Sequence, residues 1–277
     1  MFADDTNLFS SGSNLSDMTN NINREIPLLL DWLRANRLSL NAGKTHVMVF
    51  GPKNKPQLDN VNIKIDSNTL DIVNSTKFLG VILDCNLSWK QHISYISNKI
   101  AKLVGIISIA RKTLSQKTLI QLYFSFIYPY LTYCLIIWGN SSSSTLWPAF
   151  RLQKIALRQI ANLKFRESSI PFCKLHKILR LPEIYTHTAA IIMYKYKNSL
   201  LPTTFDKFFS DNSEYHRYPT RSANLIRIPL VKTKTAENFI VKSGALIWNS
   251  ILTEIDANIR IRPFKKILKD HLISKNY

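Results

Sequence analysis

The sequence predicts an α+β chain: short strands with one helix over residues 1–84, then helices over nearly all of the remainder. Three observations predict it. Apolar residues recur at helical spacing within 16–37, at Ile22, Ile26, Leu29, Leu30 and Leu33. Between 45 and 83 the apolar runs are brief and broken by turn residues. From Trp89 onward helical spacing returns and persists.

Residues 1–10 read as the end of one strand, a turn at Asp4-Asp5, and the start of another strand through Leu8 and Phe9. Ser16 or Asp17 is placed to cap the first helix. Asn41-Ala42-Gly43 closes that unit. Strands are expected at 45–50, 63–65, 69–73 and 78–83, with a loop at 52–56 bounded by Pro52 and Pro56. Ile93, Ile96, Ile100, Leu103, Val104 and Ile107 mark an amphipathic helix. A second helix covers 116–127, and Pro129 interrupts or kinks the chain beyond it. A serine-rich turn at 139–145 precedes a third helix at 147–163. There Arg151, Lys154 and Arg158 form one stripe, opposite Leu152, Ile155, Ile160 and Leu163. Further helices are expected near 171–180, 183–199, 236–252 and 261–274, with an exposed loop at 213–227. No repeat and no Gly/Ser linker separates the parts, so they are expected to pack together.

The net charge of +19 points to a polyanionic partner, nucleic acid before a membrane surface. Residues 1–90 carry nine Lys/Arg and nine Asp/Glu, so the whole excess lies in 91–277. No acidic residue stands between Asp84 and Glu167, against eleven Lys/Arg from Lys90 to Arg166. A merely soluble surface mixes both signs; a long one-signed stretch suits phosphate contact. The three cysteines, Cys85, Cys134 and Cys173, form no disulfide framework and no Cys-x-x-Cys zinc site. Cys173 and His176 lack two further ligands nearby. With no signal peptide, an intracellular location, nuclear or cytoplasmic, is expected. The apolar run 119–138 is long enough to span a bilayer, but Gln121, Ser125, Pro129 and tyrosines spread along it fit a soluble core better, so no membrane partner is expected.

Phe2-Ala3-Asp4-Asp5 is the sharpest chemical signal. Two adjacent carboxylates in a tight turn can reach divalent ions, and hard oxygen ligands suit Mg²⁺. Gly43-Lys44-Thr45 is not a nucleotide-binding P-loop, because Leu38 stands where its first glycine belongs and the order is helix–loop–strand. The aromatic run Tyr123, Phe124, Phe126, Tyr128, Tyr130 and Tyr133 reads as core. Tyr215, His216 and Tyr218, beside Arg217 and Arg221, are better placed to stack on bases.

Several motifs fall in a telling order. Phe2-Ala3-Asp4-Asp5-Thr6-Asn7-Leu8-Phe9 comes first, then Leu40-Asn41-Ala42-Gly43-Lys44-Thr45 with Val47-Met48-Val49-Phe50. Lys77-Phe78-Leu79-Gly80-Val81-Ile82-Leu83-Asp84 and Leu87-Ser88-Trp89-Lys90-Gln91-His92-Ile93 come next. Leu122-Tyr123, Trp138-Gly139, Leu152-Gln153-Lys154, Gly244 with Trp248-Asn249, and Phe264-Lys265 complete the series. In this order they resemble the reverse transcriptases of LINE-type (non-LTR) retrotransposons, of the jockey, CR1 and RTE kind.

The resemblance implies a palm remnant of short antiparallel strands with a helix over 1–84, a basic helical thumb over 85–166 and a mostly helical C-terminal domain over 167–277. It implies an RNA-directed DNA polymerase acting on an RNA template and a DNA primer or target, with Mg²⁺ and no small-molecule cofactor. Asp4 and Asp5 would be metal-binding catalytic acids, and Lys44 the general acid toward departing pyrophosphate. Phe78, Leu79 and Gly80 would seat the primer end, and Lys90, Arg151, Lys154 and Arg158 would contact nucleic acid. The bland readings stand beside these: Lys44 a solvated loop lysine, Phe78 and Leu79 core residues of a strand. In this family the other metal-binding aspartate and the fingers precede the aspartate pair, so the 277 residues alone are expected to be inactive. The alternative is a non-enzymatic nucleic-acid-binding module derived from a retroelement.

Overall fold

Asn14 sets where the first helix begins. Its side-chain oxygen accepts the backbone N–H groups of Ser16 (2.8 Å) and Asp17 (3.2 Å), which would otherwise lack partners at the start of α1 (Leu15–Ala35). The cap is thus Asn14 and not Ser16 or Asp17: Asn14 is the last residue with extended backbone, and only there can the amide turn back on the first turn. The helix stops where Arg37 adopts a left-handed backbone and the Leu38 N–H bonds the Leu33 carbonyl (2.9 Å).

The structure, a computed structural model, describes residues 6–51, 61–65, 68–214 and 225–276. The chain divides into two compact units, Met1–Leu87 and Ser88–Tyr277. In the first, Ile26 of α1 is buried with Val61, Ile63, Ile65 and Leu70, flanked by Leu15, Ile22, Leu30, Leu40, Val47 and Ile72. Asn23 ties the helix to this layer, donating to the Asn62 carbonyl (2.9 Å) and accepting the Lys64 N–H (3.3 Å).

The strands are shorter than expected. β1 (His46–Val47) pairs with β4 (Asp71–Ile72), β2 (Lys64–Ile65) with β3 (Asn68–Thr69), and β5 (Ser75–Phe78) with β6 (Val81–Asp84). The first pair is parallel, not antiparallel; the long connection between its strands lets the chain return in the same direction. The segment 78–83, expected as one strand, instead holds the end of β5, a turn and most of β6, so it is a hairpin. Leu79 and Gly80, with φ of 44° and 84°, make a two-residue turn of the kind that matches strand twist. Leu8 and Phe9 form no strand and are exposed.

In the second unit α2 (Lys90–Ala110) packs on α6 (Ser143–Ile160). Ile93, Ile96, Ile100, Val104 and Ile107 are buried, as their spacing requires. On α6 the buried face is Ala149, Gln153, Ala156, Leu157 and Ile160, while Leu152 and Ile155 are only half-buried. The apolar stripe is therefore rotated from the expected one, because it includes a glutamine whose polar atoms are satisfied inside.

Between them, α3 (Gln116–Leu122) runs through a π-helical turn (Tyr123–Ile127) into α4 (Tyr128–Thr132). Here the Tyr128 N–H reaches back five residues to the Tyr123 carbonyl, and Pro129 has no N–H to give. The expected helix at 116–127 thus continues past its Pro, widened and not broken. Within the run expected to be core, Tyr123 is buried and Tyr128 and Tyr130 are half-buried, but Phe124, Phe126 and Tyr133 are exposed.

α5 (Leu135–Trp138) buries Trp138 completely, with its indole N–H on the Tyr133 carbonyl (2.9 Å) and its ring edge-on to His92. A Cβ on Gly139 would lie 2.6 Å from the Leu135 carbonyl oxygen and 2.7 Å from the Tyr185 ring, so only glycine fits there.

α7 (Ile170–Leu175), α8 (Leu181–Lys197), α9 (Lys234–Asn238), α10 (Ile240–Ile251) and α11 (Ile261–Asn276) complete the unit. Tyr194 of α8 stacks on Phe264 of α11 at 4.5 Å, with Trp248 of α10 beside both. The Asn249 amide exchanges two hydrogen bonds with the Ile226 backbone (2.8 and 3.0 Å). Residues on either side of 166 share one compact unit. By length and composition α2 is apolar enough to cross a membrane. The segment 119–138 is instead divided by the π-turn and by Cys134, whose backbone is left-handed.

Candidate nucleic-acid interface

A helix with one buried face presents its remaining residues to water, and on α6 those are cationic and aromatic. Arg151 is exposed; Lys154 and Arg158 are half-buried. The Lys154 ammonium lies 4.4 Å from the centre of the Trp147 ring and 4.8 Å from that of Phe150, and the Arg158 guanidinium 5.8 Å from the Phe165 ring. Aromatic faces carry negative charge density and hold cations in this way. Burial pulls the Lys154 pKa below the usual lysine value, helped by the nearby positive charges of Arg158 and Arg180. Arg180 is paired with Glu183. None of the eleven Lys/Arg between Lys90 and Arg166 forms an ion pair among the described residues. Lys90 begins α2, where the helix dipole opposes a cation, and it is exposed.

Gln153 explains why this face is held firmly. Fully buried, its amide donates to the Tyr123 hydroxyl (2.9 Å) and the Leu179 carbonyl (3.1 Å), and its oxygen accepts the Leu181 N–H (2.8 Å). It joins α6 to the π-turn and to the start of α8. Sequence reasoning marks Gln153 only as part of a motif; the signal for its role is a glutamine on the inward side of an amphipathic pattern. Trp147 and Phe165, which sequence reasoning misses, are legible only as aromatics within the acid-free stretch.

In the first unit, Lys44 ends a 3₁₀ turn (Ala42–Lys44) and is exposed, with its backbone N–H on the Asn41 carbonyl (3.1 Å). Phe78 is half-buried. Leu79 and Gly80 form the exposed hairpin tip, so Leu79 is not a strand-core residue: the left-handed turn rotates its side chain outward. His46 joins β1 to β5 through Thr76 Oγ1 (2.6 Å). Asp4 and Asp5 lie outside the described residues, as do Tyr215, His216, Arg217, Tyr218 and Arg221. Among the described residues no cluster of three or more His, Cys, Asp or Glu side chains is placed to hold a metal. The Cys173 thiol is buried, which pushes its pKa up to about 11, and the His176 ring packs on Phe172 at 4.5 Å.

The chain is similar to the RNA-directed DNA polymerase from mobile element jockey of Drosophila funebris, 25% identical over 164 residues. The match covers 58% of this chain and 18% of that protein, so it spans under a fifth of the relative's length. This similarity supports a relationship to the reverse transcriptases of mobile elements. No family model matches the chain, and no solved structure matches it.

Proposed function

We propose that this chain is the polymerase region of a LINE-type retroelement from the aspartate pair onward, and that its second unit grips nucleic acid through the exposed side of α6. The observation that carries the reading is the set of eleven cations from Lys90 to Arg166, with no acid among them in sequence and no ion-pair partner among the described residues. Unpaired cations concentrated on a folded surface repel one another unless an anion is brought to them. The similarity to a mobile-element polymerase supports RNA and DNA as that anion. On this reading 1–84 is palm, 85–166 thumb, and the protein works inside the cell. Mg²⁺ belongs with Asp4 and Asp5, Lys44 is the general acid toward departing pyrophosphate, and the Leu79-Gly80 tip meets the primer. The compactness of Ser88–Tyr277 favours a second reading, a binding module without polymerisation.

The test is the salt dependence of binding. With roughly four to six phosphates neutralised, log affinity for duplex falls against log salt with a slope of about −4 to −5. Reversing Arg151, Lys154 and Arg158 to Glu flattens that slope and weakens binding to every sequence alike. A slope near zero in the unmodified chain, or one untouched by the triple reversal, overturns the reading.

A further inference from the structure

Phosphate contact does not account for the rings on this face. Trp147 is about half exposed (49%) and Phe165 is 79% exposed. Exposing two large rings within a cationic surface is unfavourable unless something covers them.

The chain is built to present Phe165. α6 ends with Asn162 in a left-handed backbone (φ 54°), and the Leu163 N–H returns to the Arg158 carbonyl (2.9 Å). Next comes a tight turn, in which the Lys164 N–H bonds the Glu167 carboxylate (3.0 Å) and the Glu167 N–H bonds the Lys164 carbonyl (3.1 Å). Phe165 stands at the tip between exposed Lys164 and Arg166. Glu167, hydrogen-bonded to backbone, and Glu183, paired with Arg180, form no ion pair with Lys154 or Arg158.

We infer that Trp147 and Phe165 are stacking platforms for unpaired bases, so that this face of α6 takes single-stranded nucleic acid in preference to duplex. The inference rests on the phosphate-binding reading above and adds which form of nucleic acid is held. In a duplex both faces of nearly every base are already stacked, and exposed rings gain nothing from it. In a single strand each base offers a π-face, and its phosphate falls within reach of a neighbouring cation. Here every ring has its cation: Lys154 beside Trp147 and Phe150, Arg158 beside Phe165.

The experiment uses the full 277-residue chain with a fluorescein-labelled deoxythymidine oligomer and a duplex of equal length, read by anisotropy. Trp147→Ala and Phe165→Ala are each expected to weaken single-strand binding roughly tenfold, to leave duplex binding within about twofold, and to leave the salt slope unchanged. Trp147→Phe retains most of the single-strand affinity. Phe165 lies on an exposed turn, so Phe165→Ala decides the question alone if Trp147→Ala melts early. Equal weakening of both forms, or no change in either, overturns the inference. If the charge reversals alter the slope while the aromatic variants do not separate the two forms, the stacking inference fails and the phosphate reading stands. If the charge reversals do nothing, the phosphate reading fails.

Discussion

In Met1–Leu87 the longest strand pair joins four residues of each strand, and the buried apolar cluster around α1 has five members. Among the described residues, the largest fully buried side chains all lie in Ser88–Tyr277, among them Trp138, Trp248, Tyr123 and Phe264. Both units leave large apolar side chains exposed, Phe9, Leu28 and Trp32 in the first and Trp147, Phe165 and Leu230 in the second. The second buries Gln153 completely with three hydrogen bonds, and its half-buried Asn249 makes two more. The contrast teaches that the basic face of α6 rides on a rigid, well-packed body, whereas the hairpin tip at Leu79-Gly80 and the Lys44 turn belong to a thinner one. A surface that must hold a polyanion against its own repulsion benefits from the stiffer support.

Comparable residues in the two units sharpen that contrast. The largest effect is expected at Gln153. Gln153→Ala removes a buried side chain and strands the Leu181 N–H and the Leu179 carbonyl, a loss of about 3–5 kcal/mol. Its counterpart Asn23 links helix to strand in the first unit through hydrogen bonds open to water, and Asn23→Ala is expected to cost only about 1 kcal/mol. Urea denaturation of the full chain, monitored by probes in each unit, measures both. Equal losses would erase the distinction between the two units.

A glycine pair gives the next largest effect. At Gly139 an added methyl meets a backbone carbonyl and the Tyr185 ring, and neither can move without shifting α5 against α8. Gly139→Ala is therefore expected to cost about 2–3 kcal/mol. At Gly80 the obstacle is backbone conformation, with φ of 84°, and Gly80→Ala is expected to cost about 1 kcal/mol. Thermal melts of the two variants test the order; a larger shift for Gly80→Ala would contradict it.

The long helices are legible in the sequence because their apolar spacing is set by the same burial that stabilises them: Ile93 through Ile107 on α2 is the clear case. The strands are legible in place, since strand residues occur in each of 45–50, 63–65, 69–73 and 78–83, but not in extent or pairing: two-residue strands carry no periodicity, and His46 pairs with Asp71 far along the chain. The hairpin is hidden for a different reason. Leu79-Gly80 lacks the usual Asn-Gly or Asp-Gly signal, and Leu79 takes a left-handed backbone that its side chain disfavours. Of the site, the cations are visible as charge, but their pairing with Trp147, Phe150 and Phe165 depends on how α6 is rotated. That rotation is set by Gln153, a polar residue that pattern reading assigns outward.

The smallest expected effect is on pH dependence, and it belongs to the second unit. Burial lowers the pKa of His92 below the ordinary 6.5, and of His187 too, where the nearby Lys265 and Lys269 add to the shift and a contact with the Lys265 carbonyl (3.2 Å) opposes it. In the unfolded chain both rings take up a proton as pH falls past about 6.5, while in the folded chain they resist it. Their contribution is therefore fully present above about 6.5 and is lost as pH falls toward their lowered folded values. The carboxylates act elsewhere: Asp270, drawn below its ordinary 3.8 by the hydrogen bond and charge of Lys177, contributes until the solution is far more acidic. Urea midpoints between pH 7.5 and 5.5 should decline for the unmodified chain. The decline should be shallower in His187→Asn and shallower again when His92→Asn is added, once each variant is referred to its own midpoint at pH 7.5. An unchanged slope in the double variant would mean that neither imidazole is kept neutral by the fold, and that the core around Trp138 is wetter than the contact between His92 and that ring indicates.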